Sequence, residues 1–403
     1  MDSGNIAWVL TAAALVAFMT PGLAFFYAGM VRSKNVLGML IQNVFAMGLI
    51  SVLWVTIGFS LAFGGESSLI GNFDYAFGYD IAEAGPDFMA FFAFQMMFAV
   101  ITPALITGAT ADRLKFGSYA LFIAVWSIIV YSPVAHWVWG AGGWLFEGKW
   151  FLNGEVQDFA GGAAIHINAG IAALVLVAVV GARRSHGTEP MPPHNLPFTV
   201  LGTGILWFGW FGFNAGSALA ADGTAAQALV NTHLAAAAGM LGWLVVEKMK
   251  AGHATVLGAC SGAVAGLVAI TPCAGFVGDY SPVLIGLIAG AGCYLALQVK
   301  EVLRLDDSLD VIAVHLVGGL IGTLLVGVFG DSEVNGRDGL FYGGGIDLLV
   351  DQFIGAVSVI VFSGVVTYVI AVAIDRTVGM RVDHDAELEG LDQSQHAESA
   401  YQA

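Results

Sequence analysis

Charge is what this sequence has least of. Only 11% of its 403 residues are Asp, Glu, Lys or Arg, where a soluble domain carries about 25%. Because 58% are hydrophobic, an ordinary soluble domain is excluded and a polytopic membrane protein remains. Cysteine is scarce too. Cys260, Cys273 and Cys293 all fall in or beside apolar runs, which predicts buried thiols and excludes a disulfide framework. Basic residues are outnumbered, 14 against 30 acids for a net charge of −16. That argues against a nucleic-acid partner, and acidic loops of this kind would suit a high-salt medium. The opening Met-Asp-Ser-Gly-Asn lacks a basic stretch, so the first apolar run reads as a retained span rather than a cleaved signal.

What the chain has in abundance is apolar length. Eleven runs approach or exceed the ~20 residues that cross a bilayer: 6–31, 35–64, 88–110, 117–141, 160–181, 196–219, 225–246, 255–274, 282–299, 309–329 and 351–375. The fold class expected is therefore all-α integral membrane. Glycine, at 54 residues, is about twice its usual share, as expected where membrane helices approach closely. Basic residues set the orientation. Arg32/Lys34, Arg113/Lys115, Arg183/Arg184, Lys248/Lys250, Lys300/Arg304 and Arg376/Arg381 occupy alternate connections and the tail. The opposite side has Lys149 and Arg337 among acids such as Asp74, Asp80, Glu83 and Asp87. The N-terminus is thus expected outside and the C-terminus inside. Residues 1–378 form the membrane domain, with halves at about 1–185 and 190–330 and an extra helix at about 351–375; residues 379–403 form a cytoplasmic tail.

Two spans carry a residue that hydrocarbon tolerates poorly. Asp158-Phe-Ala-Gly-Gly-Ala-Ala-Ile-His166-Ile-Asn168 opens span five, and Asp310-Val-Ile-Ala-Val-His315-Leu-Val-Gly-Gly319 opens span ten. In both, a glycine follows the histidine by four residues (Gly170, Gly319), placing it on the same helical face. A histidine inside a span marks a functional site by default. Span one ends Phe26-Tyr-Ala-Gly29 and span six ends Phe213-Asn-Ala-Gly216, so the chain reads as a five-span unit repeated in opposite orientation plus an eleventh helix. Such inverted repeats put the permeation site near the midplane at the repeat interface. Each histidine lies roughly 10 Å from its own entry face, so the symmetry can bring them together.

Aromatic residues cluster on the outer ends. Trp210, Phe213 and Ser217 share one face of span six, Trp139 closes span four, and Phe94 and Phe98 sit one turn apart in span three. A hydroxyl acceptor among aromatic faces suits a small cation that can donate hydrogen bonds. Phenyl rings below it would exclude water.

These residues carry a resemblance. Asp158-Phe-Ala-Gly-Gly-x-x-x-His166-Ile-Asn, Phe94-Gln-x-x-Phe98, Ala135-His-Trp-Val-Trp139-Gly, Trp207-Phe-Gly-Trp-Phe-Gly-Phe213-Asn-Ala-Gly-Ser217 and Asp310-x-x-x-x-His315 resemble the signatures of the Amt/Mep/Rh ammonium transporters, in their bacterial and archaeal Amt branch. So do Gly379-Met-Arg-Val and Glu389-Gly-Leu-Asp in the tail. The resemblance implies ammonium recruitment by Trp139, Phe98 and Ser217 with support from Asp158, and a gate of Phe98 over Phe213. It also implies a pore of His166 and His315 with Trp210, lined further by Phe94. It implies a homotrimer with one pore per subunit, methylammonium as an analogue substrate, and a PII-type regulatory protein at the cytoplasmic face. Ala163 departs from the threonine of some relatives without changing the class.

Blander readings apply elsewhere. His136 is expected to be a packing residue, and His186, His194 and His253 solvated loop groups. Asp158 is also a natural N-cap of span five. Asp306 and Asp307 are expected to be solvated or capping, and Asp310 buried. An enzyme is disfavoured, since two histidines on different helices without a supporting cysteine or acid motif make neither a metal site nor a nucleophile. No cofactor is implied. The alternatives carried forward are a neutral-gas channel of Rh type, for ammonia or carbon dioxide, and an ammonium sensor acting through a docked partner.

Overall fold

The computed structural model describes residues 2–401. Met1, Gln402 and Ala403, which fall at the ends of the two expected segments, lie outside the described residues. Among the described residues there are eleven apolar helices: α1 (Ser3–Met30), α2 (Ser33–Phe63), α3 (Pro86–Thr110), α4 (Phe116–Trp139), α5 (Gly162–Val180), α6 (Leu196–Gly216), α7 (Gly223–Ala251), α8 (Val256–Ile270), α9 (Ser281–Lys300), α10 (Ile312–Phe329) and α11 (Asp347–Thr377). Ten are long and apolar enough to cross a bilayer unaided. The exception is α8; its 15 residues rise only about 22 Å, and tight turns over 271–276 extend it. Two short helices follow in the tail, α12 (His384–Glu389) and α13 (Leu391–His396). With eleven crossings the N-terminus and the tail fall on opposite faces, called here the N-terminal face and the tail face.

The repeat shows in how the halves meet. No pair of elements packs more extensively than α1 and α6, the first helices of the two five-helix units. Small residues permit this: an added Cβ at Gly202 would lie 2.3 Å from the Phe26 nitrogen, and one at Gly29 2.6 Å from that of Thr199. The fifth helices meet in the same reciprocal way. A Cβ at Gly170 would lie 2.4 Å from the Leu316 nitrogen, and one at Gly319 3.0 Å from the Cβ of His166. The glycine that follows each histidine by four residues is therefore where the opposite histidine helix rests its backbone.

Both histidine helices begin with a π-helical turn, Gly162–Ile167 in α5 and Ile312–Val317 in α10. Such turns widen a helix locally and are frequent at functional sites. Each follows a left-handed residue five positions before the histidine, Gly161 (φ 118°) and Asp310 (φ 63°).

The acids before span ten depart from the sequence expectation in their burial, although Asp307 does cap the start of α10 by accepting from the Ile312 N–H. Asp306 and Asp307 are both buried, at 2% exposure, while Asp310 is only partly buried and pairs with Lys300. Arg183 explains Asp306: its Nη2 and Nε donate to the carboxylate at 2.7 and 2.9 Å, and its main-chain N–H at 2.7 Å. Burial alone would raise the Asp306 carboxyl, but Arg183 and then Arg113 override it and hold it at about 2. Asp307 has no such cation against it. Burial, then Asp310, push its carboxyl up to about 6 despite Lys300 and the N–H of Ile312, which donates at 2.7 Å. Asp307, eight residues before His315 as Asp158 is before His166, is thus the counterpart of Asp158; the sequence comparison had paired Asp158 with Asp310.

The tail lies against the loops of its own face, and two of its acids carry the contact. Glu387 is buried, accepts from the Arg184 N–H at 2.8 Å and pairs with Arg381 at 2.8 Å. Asp392 accepts from the Gly38 N–H at 2.8 Å, at the start of α2. Asp383, Asp385 and Glu389 remain exposed. Arg113 meets no tail acid. Its buried guanidinium donates to the carbonyls of Gly181, Ala111, Ala109 and Asp306. Main chain joins the tail to that loop, Val382 N–H donating to Arg113 (3.0 Å) and Lys115 N–H to Met380 (2.9 Å). All three cysteines are free and buried. His136 is a packing residue, its ring nitrogens bonding the carbonyls of Ala62 and Ser67 at 2.9 and 2.6 Å.

Candidate functional site

A column of aromatic and imidazole rings runs between the halves. At its upper end, toward the N-terminal face, a cavity of about 280 Å³ is lined by residues that include Phe98, Trp139, Asp158 and Ser217. Trp139 stands at the end of α4 and donates its indole N–H to the Asp158 carbonyl at 2.8 Å. Ser217, half-buried at the C-cap of α6, donates to the Phe213 carbonyl at 2.9 Å, which leaves its oxygen lone pairs available to a donor in the cavity.

The floor of this cavity is closed by two phenyl rings. Phe98 and Phe213 stack with centroids 4.3 Å apart and an interplanar angle of 28°, and Trp139 meets Phe98 edge-on at 6.0 Å. Below them Phe213, His166, Trp210 and His315 continue the column: His166 lies 6.2 Å from Phe213 at 27°, 5.5 Å from Trp210 at 19° and 5.2 Å from His315 at 16°. The two imidazoles face each other through Nδ1, 3.2 Å apart. One Nδ1 must donate and the other accept, so they share a single proton in that contact. The chamber around them encloses only about 20 Å³, little more than one water-sized sphere. Except for the imidazoles, Trp210, Tyr27 and Ser261, its walls are apolar.

The carboxylate of Asp158 is fully spent. Oδ1 accepts from Gly161 and Gly162 at 2.9 and 2.6 Å, and Oδ2 from Ala163 and Ala164 at 2.8 and 3.0 Å. It caps the π turn that presents His166, and only its carbonyl reaches Trp139. Phe94 does not line either cavity. It stands behind Phe98, edge-on at 4.8 Å, because its face of α3 turns toward Gly216. The neighbouring Gln95, not Phe94, faces the mouth. Among the described residues no group of three or more His, Cys, Asp and Glu is placed to hold a metal.

The family model described as Ammonium Transporter Family matches residues 7–401. The chain belongs to that family. An ammonium transporter of Mycobacterium tuberculosis is 49% identical over 99% of this chain and 90% of its own length. Ammonium transporter Amt1 of Archaeoglobus fulgidus is 44% identical over 100% of both. The crystal structure of Candida albicans Mep2 superimposes with a TM-score of 0.88 at 34% identity, covering 96% of this chain and 87% of that one. A structure described as a sensor Amt protein reaches 0.89 at 30% identity, covering 98% of each.

Within this ammonium transporter family member, sequence reasoning missed several site residues. Thr271 accepts the Trp210 indole N–H at 2.8 Å and so fixes the ring that lies over His166. Phe159 and Phe276 complete the mouth. Gln95 carried a usable signal, a buried amide in an apolar run; Thr271 carried none, since a threonine at a helix end has many local uses.

Proposed function

We propose that this protein moves ammonium across the cell membrane by recruiting the cation at the Trp139–Phe98–Ser217 mouth, where it gives up its proton to water near Phe98 and Phe213, and passing ammonia along His166 and His315. The observation that carries this reading is the stacked phenyl pair (4.3 Å) closing a chamber of about 20 Å³ that holds two imidazoles. A bare cation in such a place loses its water, at a cost of several kcal/mol, and meets no ring of carbonyls to replace it. Ammonia has no charge to desolvate. It fits one water-sized sphere and exchanges hydrogen bonds with imidazole nitrogens, and the unpartnered Nε2 of His166 is one such group.

Potassium has no proton to lose, so the same site rejects it. In proteoliposomes we expect ammonium or methylammonium to enter at least about tenfold faster than potassium under equal gradients; equal rates would sink the selectivity. Whether currents accompany ammonium addition tells how the proton travels. A neutral-gas channel would move ammonia with no saturable mouth, and the hydroxyl-and-aromatic cavity favours the recruiting reading. The N-terminal face is the outer one in this proposal, with six basic-rich segments inside and a homotrimer of independent pores. Residues 1–378 act as the transporting domain and 379–403 as the tail.

The tail is a coupling element in this proposal, and its face is where a PII-type protein would dock. The arginines that the tail's Glu387 pairs with, Arg184 and Arg381, stay partly exposed and meet water once the tail is gone, so deleting residues from Asp383 onward should leave a folded trimer. The loss of Glu387 and Asp392 frees Arg184 and the start of α2, and maximal methylammonium uptake should change several-fold. A truncated protein with unchanged uptake and unchanged response to a PII-type protein would refute the coupling.

A further inference from the structure

Gln352 lies one turn into α11, the helix outside the repeat, and is completely buried at 0% exposure. Its amide is used on every side. Oε1 accepts from the Gln157 main-chain N–H at 2.7 Å, while Nε2 donates to the Gln157 carbonyl at 2.7 Å and to the Thr323 carbonyl of α10 at 3.0 Å. Both polar groups of one residue's backbone are thus held by one side chain, as a strand partner would hold them. Only an amide side chain supplies two donors beside an acceptor, as these three bonds require. Gln157 is the residue immediately before Asp158. The next link is Asp158 itself, whose carboxylate caps the π turn of His166 and whose carbonyl takes the Trp139 indole.

The same end of α11 holds the preceding loop as well. Buried Asp351 accepts from the N–H and side-chain amide of Asn153 at 2.8 and 3.1 Å and pairs with Arg337 at 2.9 Å. Gly355 leaves room for Val156, whose methyl would sit 2.9 Å from an added Cβ. On the far side Phe159 donates its N–H to Pro272 at 3.2 Å. The segment carrying Asp158 is therefore suspended between α11 and the α8 turn, and the amide of Gln352 sets its height.

We infer that Gln352 is a positioning residue for the mouth: through Gln157 it fixes Asp158 and Trp139, and so the affinity with which the mouth takes its cation. This rests on the mouth being the recruiting site. The distinguishing consequence is a split between affinity and rate. Gln352→Met conserves bulk and removes the three hydrogen bonds; Gln352→Glu keeps the acceptor for the Gln157 N–H. With uptake measured per folded oligomer in proteoliposomes, the methionine variant should raise the half-saturating methylammonium concentration about tenfold, with maximal rate within about twofold. The glutamate variant should fall between it and the parent. Hydrogen–deuterium exchange of both variants, which needs no substrate, should quicken over 153–164 and stay unchanged over 256–270. A role confined to folding would lower the yield of oligomer and leave the half-saturating concentration of the folded fraction where it was. That result, or unchanged exchange over 153–164, overturns the inference. Should the parent protein move neither methylammonium nor ammonium, the recruiting reading fails by itself, and the exchange result still decides whether Gln352 positions Asp158.

Discussion

Alanine at His166 or at His315 is expected to lower methylammonium uptake per folded protein by at least tenfold while the fold survives. The two imidazoles share one proton across 3.2 Å, a contact worth about 0.5–1.5 kcal/mol net. Truncation also leaves a void beside Trp210 and an unpaired Nδ1 on the remaining ring, so the stability cost should total a few kcal/mol. The close backbone packing of Gly170 on Leu316 and Gly319 on His166 is untouched by either change, and it is what joins the two helices. Conduction, by contrast, loses the polar line through an otherwise apolar chamber. The double variant should be little worse than either single one, since the pair acts as a unit. If instead the yield of folded protein collapses and the surviving fraction transports normally, the histidines are packing groups and the pore assignment falls.

How far the chain could be read from its residues varied by element. Apolar length located all eleven crossings, because in hydrocarbon a helix must satisfy its own backbone and so announces itself in composition. Only the short α8 escaped in detail, since turns over 271–276 look as apolar as helix. The histidines and their glycines were legible because both features are costly or rare inside a span. Asp307 was not. Asp310 catches the eye because it heads the apolar run, although it stands only five residues before His315 where Asp158 stands eight before His166. The chain path shows that Arg183 holds Asp306 and leaves Asp307, at the matching spacing of eight, as the partner of Asp158 in symmetry. Phe94 failed for a related reason: residues one turn apart in α3 share a face, yet the cavity touches only part of it, and Gln95 gained the position. Gln352 had no signal at all, because its partners lie 195 and 29 residues away in the chain.

Asp158 separates two accounts of the mouth, and its variants should have the largest effect on stability. In one account its charge attracts the cation; in the other it builds the site by capping. All four of its hydrogen bonds are to backbone N–H groups of the α5 start, at 2.6 to 3.0 Å. Leaving buried donors unmade costs about 1–3 kcal/mol each. Asp158→Ala should therefore remove most of a net stability that is typically about 5–15 kcal/mol, and yield little or no folded protein. Asp158→Asn is the more informative change. It retains one oxygen but turns an NH₂ group toward two of the four donors, so about half of the cap is lost and two N–H groups face a donor. The expected result is a folded protein that melts well below the parent and takes up methylammonium at least tenfold more slowly, because the π turn that presents His166 loses its anchor. Melting temperature and uptake per folded protein, measured together, check it. An asparagine variant as stable as the parent, with only a raised half-saturating concentration, would overturn the capping account and return Asp158 to the role of an attracting charge.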